Sequence, residues 1–272
     1  MRTPVGNGID WKIGVFDSIV GYESVESGNN PNFTRSYGHS IEPQTHTGLL
    51  GTYRFCEEAS VSAGVADTVG PVINQRAFPT TVPPGPNAGT GAESYKTYMA
   101  SVALTAPQSW GWAAGSTLYA GVVNGFDAAT PVGQGPSKQT SWYTGATVAT
   151  PVTGLKCGAA FDYLDPHSRS TGTIGNGNDA YAIGVYGSYQ ATEKLSFHAR
   201  GELLTFQNNS PKDNRQVWSA TGTIQYDLWQ NVISRLEVRW DHADEGKYFS
   251  GSAGLGTQRN STLVAAHIIY KF

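Results

Sequence analysis

The 272-residue sequence predicts an all-β chain, a transmembrane antiparallel up-and-down β-barrel of about twelve strands forming one domain over residues 1–272. Three observations predict it. Charged residues make up 14% of the chain, against roughly a quarter in ordinary soluble domains, yet no stretch approaches the roughly 18 apolar residues of a spanning helix. The last twelve residues, STLVAAHIIYKF, alternate in character. Thr262, Val264, Ala266, Ile268, Tyr270 and Phe272 share one parity, and Leu263, His267 and Lys271 the other, the signature of a two-faced strand. Finally, the connections between candidate strands alternate between short and long, a sorting that membrane barrels need and soluble sheets do not.

In chain order the strands are predicted at 9–20, 44–55, 58–67, 95–106, 112–124, 140–150, 153–164, 180–191, 194–206, 216–227, 231–242 and 261–272. Their lengths suit a tilted crossing of about 9–11 residues. Short turns fall around Glu57, Pro107 to Gly111, Pro151, Thr192 and Leu228; longer loops fall at 21–43, 68–94, 125–139, 165–179, 207–215 and 243–260. Pro4 to Gly8 also reads as a short turn, which predicts a strand upstream of it.

Parity separates a lipid face from a wet face. In 231–242, Val232, Leu236, Val238 and Trp240 alternate with Arg235, Glu237, Arg239 and Asp241. Leu195, Phe197 and Leu203 likewise alternate with His198, Arg200 and Glu202, and Leu155, Ala159, Phe161 and Tyr163 with Lys156 and Asp162. An arginine in mid-bilayer lipid costs about 2–4 kcal/mol, so charges collected on one parity face a lumen. Asp17 and Lys96 break the pattern near outer strand ends, where that penalty falls. All seven tryptophans sit near strand ends: Trp11, Trp110, Trp112 and Trp229 at the short-turn rim, and Trp142, Trp218 and Trp240 at the long-loop rim. Tyr226 and Tyr270 join the first girdle, and Tyr95, Tyr163 and Tyr181 the second, as expected of amphipathic rings at headgroup depth.

Cys56 and Cys157, placed on strands far apart in order, read as unpaired small hydrophobes. MRTPVGNGID lacks the apolar core of a signal peptide, so the sequence is expected to be a mature form or to have lost its N-terminus.

The run VGNGIDWKIGVFDSIVGYE, followed by NNPNFTRSYGHSIEPQTHTGLLGTYRF and later by ESYKTYMASVALTAPQSWGW and GSTLYAGVVNG, resembles the putative β-barrel porin-2, or OmpL-like, family, and the resemblance runs over most of the chain. It implies a porin of the bacterial outer membrane and no catalytic residues. In that family the block follows a signal peptide and further sequence, so the native barrel is expected to exceed twelve strands.

The candidate pore-lining residues are Lys12, Arg54, Lys156, Asp162, His198, Arg200, Glu202, Arg235, Glu237, Arg239 and Asp241. The ladder from Arg200 to Asp241 either lines a permeation path or braces the interior with salt bridges. With Lys271 the lumen set holds more cations than carboxylates, which leans toward anions. Loop 21–43 is a candidate constriction through Arg35, Tyr37 and His39, or else an ordinary solvated tip. His39 and His46 near Glu42 lack a recognised ligand spacing, so no metal or cofactor is expected. Catalysis is not expected either: no GxSxG motif is present, and Gly172, Gly175 and Gly177 lack the context of a phosphate loop. Loop 78–90, FPTTVPPGPNAGT, reads as an irregular excursion.

The function expected is passive diffusion of small hydrophilic solutes. Outer-membrane lipid, lipopolysaccharide and the barrel assembly machinery are the expected partners, together with further copies of the chain. A net charge of −3 argues against nucleic acid. Two alternatives remain: a plugged barrel that anchors or sleeves another protein, and a soluble secreted β-sandwich that binds a ligand.

Overall fold

The computed structural model describes residues 1–70, 95–126, 138–166, 179–207, 215–250 and 256–271. Loop 78–90, the glycines Gly172, Gly175 and Gly177, and Phe272 lie outside the described residues.

Each strand pairs with its neighbours in sequence, and that is the whole topology of the described residues. The strands are β1 (Arg2–Thr3), β2 (Ile9–Asp17), β3 (Thr45–Arg54), β4 (Ala59–Ala66), β5 (Thr97–Thr105), β6 (Thr117–Phe126) and β7 (Lys138–Ala149). They continue with β8 (Leu155–Pro166), β9 (Asp179–Gln190), β10 (Leu195–Gln207), β11 (Arg215–Trp229), β12 (Val232–Ala243) and β13 (Asn260–Tyr270). Every neighbouring pair in this 13-stranded sheet is antiparallel. Among the described residues no pairing joins β13 back to β1 or β2, so the sheet is not closed.

The twelve expected strands are present, with corrections that have local causes. The added strand β1 pairs Arg2 with Asp10 and Thr3 with Ile9 across the turn at Pro4 to Gly8. The strand expected from 112 begins at Thr117, because Pro107 opens a 3-10 turn, Gln108–Ala113, kinked at Gly111 with φ 61°. Trp112 therefore lies in the rim turn, exposed beside Trp110. The strand expected to end at Asp227 runs to Trp229 over a bulge, and Asn231 at φ 66° turns the chain into β12. Cys56 sits in the turn after β3 rather than on a strand; both cysteines are free and exposed.

Burial follows the predicted parity. Leu236, Val238, Val264, Ile268 and Tyr270 are exposed on the outer face, while Arg235, Glu237, Arg239 and Asp241 are buried on the inner one. Exposed large apolar side chains recur on each strand from β2 to β13, which is what a lipid surround requires. The outward Lys96 is neutralised by Asp67 at 3.1 Å, which explains one of the two parity exceptions.

The core sits inside the curve of the sheet, and a loop completes it. Phe16, Leu50, Met99, Val123, Tyr143 and Tyr186 project inward and pack with Val20, Ile19 and Tyr22, which belong to the connection after β2. A second cluster of Ala182, Leu204, Val217 and Ala243 is covered by Tyr37 and Ile41. Each large apolar side chain so buried contributes about 1.5–3 kcal/mol, so filling the lumen with loop is favourable.

Candidate pore interior

The site is built from the connection 18–44, which enters the sheet's concave side instead of extending into solvent. Its neck is closed where Ser18 N–H donates to Gln44 O at 2.9 Å and where Ser18 Oγ meets His46 Nε2 at 3.0 Å. A bent stretch leads to a 3-10 turn, Ser27–Asn29, a second bent stretch follows it, and a five-residue helix α1, Tyr37–Ile41, leads out again. Asn30 supports the bend: its amide donates to Ser24 O and Glu26 O, and its Oδ1 accepts from Ser24 N–H. Ser36 caps α1 by accepting from His39 N–H at 3.1 Å. The expected loop 21–43 thus contains a helical turn that its sequence did not announce.

Inward charges on β10 to β12 hold this loop. Arg200, fully buried, donates to Glu23 Oε1 at 2.7 Å, Glu202 Oε2 at 2.8 Å, Thr34 O at 2.7 Å and Arg35 O at 3.2 Å. Glu237 accepts from the backbone N–H groups of Phe33 and Thr34 at 2.5 and 2.9 Å and from Thr223 at 2.8 Å. Tyr37 N–H donates to Glu202 at 2.5 Å, and Tyr37 OH donates to Asp241 at 2.7 Å. Arg239 pairs with Asp241 at 2.9 Å, donates to Arg35 O at 2.7 Å and lies 4.8 Å over the Tyr37 ring. A buried charge is tolerated only when it is compensated: Arg200, Glu202, Arg239 and Asp241 are ion-paired, and Glu237 accepts from two backbone N–H groups and a hydroxyl. The ladder therefore binds the loop, and the loop covers the ladder.

The remaining candidates divide by position. Asp162 lies under α1, where a Cβ at residue 38 would fall 2.3 Å from its Oδ2; only glycine lets the helix approach so closely. Glu42 lies beside Asp162, and burial first, then that neighbouring carboxylate, hold its carboxyl well above the usual range. His39 is buried in α1, and burial and Arg35 push its imidazole down. Arg35 itself turns back to the loop, donating to Ser24 O and to Val25 O. His198 bridges Ser188 and Ser196 at 2.9 and 3.0 Å. Lys12, Arg54 and Lys156 are exposed on the inner parity of their strands. Lys156 and Arg235 line a cavity of about 580 Å³ beneath the loop, on the short-turn side.

Sequence reasoning missed Tyr22, Glu23, Asn32, Phe33 and Thr34 as participants. Tyr22 stacks on Tyr186 at 4.1 Å and hydrogen-bonds Thr147, and Asn32 donates to Thr223 at 2.8 Å. The one available signal was the loop's density of Asn, Tyr and Glu, which exceeds what a bare solvated tip requires.

A family model described as "Putative beta-barrel porin-2, OmpL-like" matches residues 1–272. The chain belongs to this porin family. Its place is the bacterial outer membrane, and its fold and family are those of a channel rather than an enzyme. Among solved structures it is similar to an anion-selective porin from Comamonas acidovorans, at 10% identity and TM-score 0.60, over 84% of this chain and 60% of that one. It is similar as well to the outer-membrane channel DcaP of Acinetobacter baumannii, at 12% identity and TM-score 0.59, over 95% and 71%. A third is OmpT of Vibrio cholerae in its trimer form, at 14% identity and TM-score 0.56, over 96% and 76%. The chain thus spans 60% of the length of the first of these porins. No curated protein matches the sequence. At these identities the structures speak for the fold alone, that of outer-membrane porins.

Proposed function

We propose that this porin passes small hydrophilic solutes by passive diffusion, with residues 18–44 as its constriction and a preference for anions. The chain acts in this reading as one barrel domain over residues 1–272. One observation carries it: the loop lies across the inner face, pinned by Arg200, Glu237 and Arg239, and leaves Lys156, Arg235 and Lys271 around the open space below. Width is then set by the loop and charge preference by those cations, with no energy coupling. Lys12 and Arg54, exposed on the inner parity, extend the positive lining. Lipopolysaccharide and the barrel assembly machinery are the proposed partners, and a homo-oligomer is the proposed assembly.

Reconstitution in planar bilayers tests this. Discrete conductance steps are expected, with a reversal potential in a potassium chloride gradient that reports chloride crossing faster than potassium; cation preference would overturn the charge assignment. A plugged barrel that anchors another protein is the second reading, favoured by the depth to which the loop fills the interior. A folded protein that never conducts would decide for it.

A further inference from the structure

We propose that the cavity beneath loop 18–44 is a binding site for a small aromatic carboxylate, an inference that rests on the chain's being a channel and names the solute class it selects. The cavity measures about 580 Å³, within the range of about 300–1,000 Å³ typical of small-molecule sites. One wall is aromatic, formed by Tyr22, Tyr119, Tyr143 and Tyr186. Tyr119 projects inward yet is 44% exposed, so its ring offers an uncovered stacking surface. The other wall is cationic.

Arg235 distinguishes this place from the rest of the ladder. It is buried, its Nε donates to Gln225 Oε1 at 2.8 Å and its Nη1 to Ser27 O at 3.2 Å, both neutral partners. Arg200 and Arg239 have carboxylates in ion-pair reach; among the described residues Arg235 has none. Glu237 on the same strand and Asp227 act on it only from beyond contact distance, so an anion in the adjoining cavity gives this guanidinium a direct charged partner. Lys271 reaches the same place. Its Cε would lie 2.9 Å from a Cβ at residue 28, so Gly28 admits the lysine stem against the 3-10 turn that Arg235 holds from the other side. The acid on the cavity, Glu23, is occupied by Arg200 and Ser36 N–H. Lys156 adds a third cation. Phosphate would leave the tyrosine wall unused and an organic cation would meet three like charges, whereas an aromatic carboxylate uses both walls.

The test is calorimetric titration of benzoate into the whole chain folded in detergent micelles, with acetate as the comparison ligand. Benzoate is expected to bind saturably and at least about tenfold more tightly than acetate, because its ring adds buried apolar area and stacking on the tyrosine wall to the carboxylate contacts that both ligands make. Lys156→Gln should weaken both ligands severalfold. Tyr119→Leu should erase the benzoate advantage and leave acetate unchanged; both side chains are exposed, and heat-modifiable gel mobility checks folding. Equal affinity for benzoate and acetate, or binding insensitive to both substitutions, overturns the inference. Conductance with no benzoate binding overturns the site alone, whereas benzoate binding without conductance overturns the channel and keeps the site.

Discussion

Replacing Arg200 with methionine tests whether the inner ladder sets the width of the pore. Among the described residues, Arg200 is the only group that touches Glu23, Glu202, Thr34 and Arg35 at once, with both ion pairs shielded from solvent. Removing it deletes these bonds and takes the nearest cation from two buried carboxylates, leaving Glu23 on the loop with Ser36 N–H and Glu202 on β10 with Tyr37 N–H and the more distant Arg239. Breaking a buried pair by deleting one partner costs about 3–5 kcal/mol. Only movement of the loop relieves that cost, since β10 is locked by two neighbours in register. At about 1.4 kcal/mol per tenfold, the released loop should gain on the order of a hundredfold to several thousandfold in population. Arg239, 3.8 Å from Glu202, and Glu237, on Phe33 and Thr34, oppose the release. The assay is single-channel recording: Arg200→Met should show larger and noisier conductance, with faster proteolysis between residues 18 and 44. Adding Glu23→Gln removes the loop carboxylate's charge and should restore part of the wild-type behaviour. Wild-type conductance and protection in Arg200→Met would refute the loop as a constriction.

Two further outcomes follow from the same structure. The Glu42 carboxyl is raised by burial and by Asp162, so the neutral form is the one that fits; its contribution is complete below the ordinary carboxyl range and is lost as pH rises through the raised value. Loop 18–44 should therefore be better protected from hydrogen exchange at pH 5 than at pH 8, and Glu42→Gln should flatten that difference. Leu236 stands exposed near the middle of β12, opposite Ile224 and Ala266, and Leu236→Arg should destabilise the barrel in lipid vesicles by about 2–4 kcal/mol in equilibrium unfolding; a change within about 0.5 kcal/mol would mean that this face does not meet lipid.

The strands and their faces were legible in the sequence because a pleated strand carries its orientation in period two, so Val238 and Arg239 declare opposite sides without any neighbour being known. Turn chemistry and rim tryptophans added the order and the depth. Edges were less legible: Trp112 reads as strand until the kink at Gly111 is seen. What only the tertiary structure decided is the use of the interior. Whether Arg200 meets water or carboxylate depends on residues separated from it by well over a hundred positions, Glu23 and Thr34. Loop conformation has no period to read, since its backbone is held by side chains on other strands. Sequence alone therefore determined which groups face inward, because that is a local property of each strand. Which of them hold the loop, and which, like Lys156 and Lys271, stand around the cavity beneath it, was decided by packing across the sheet.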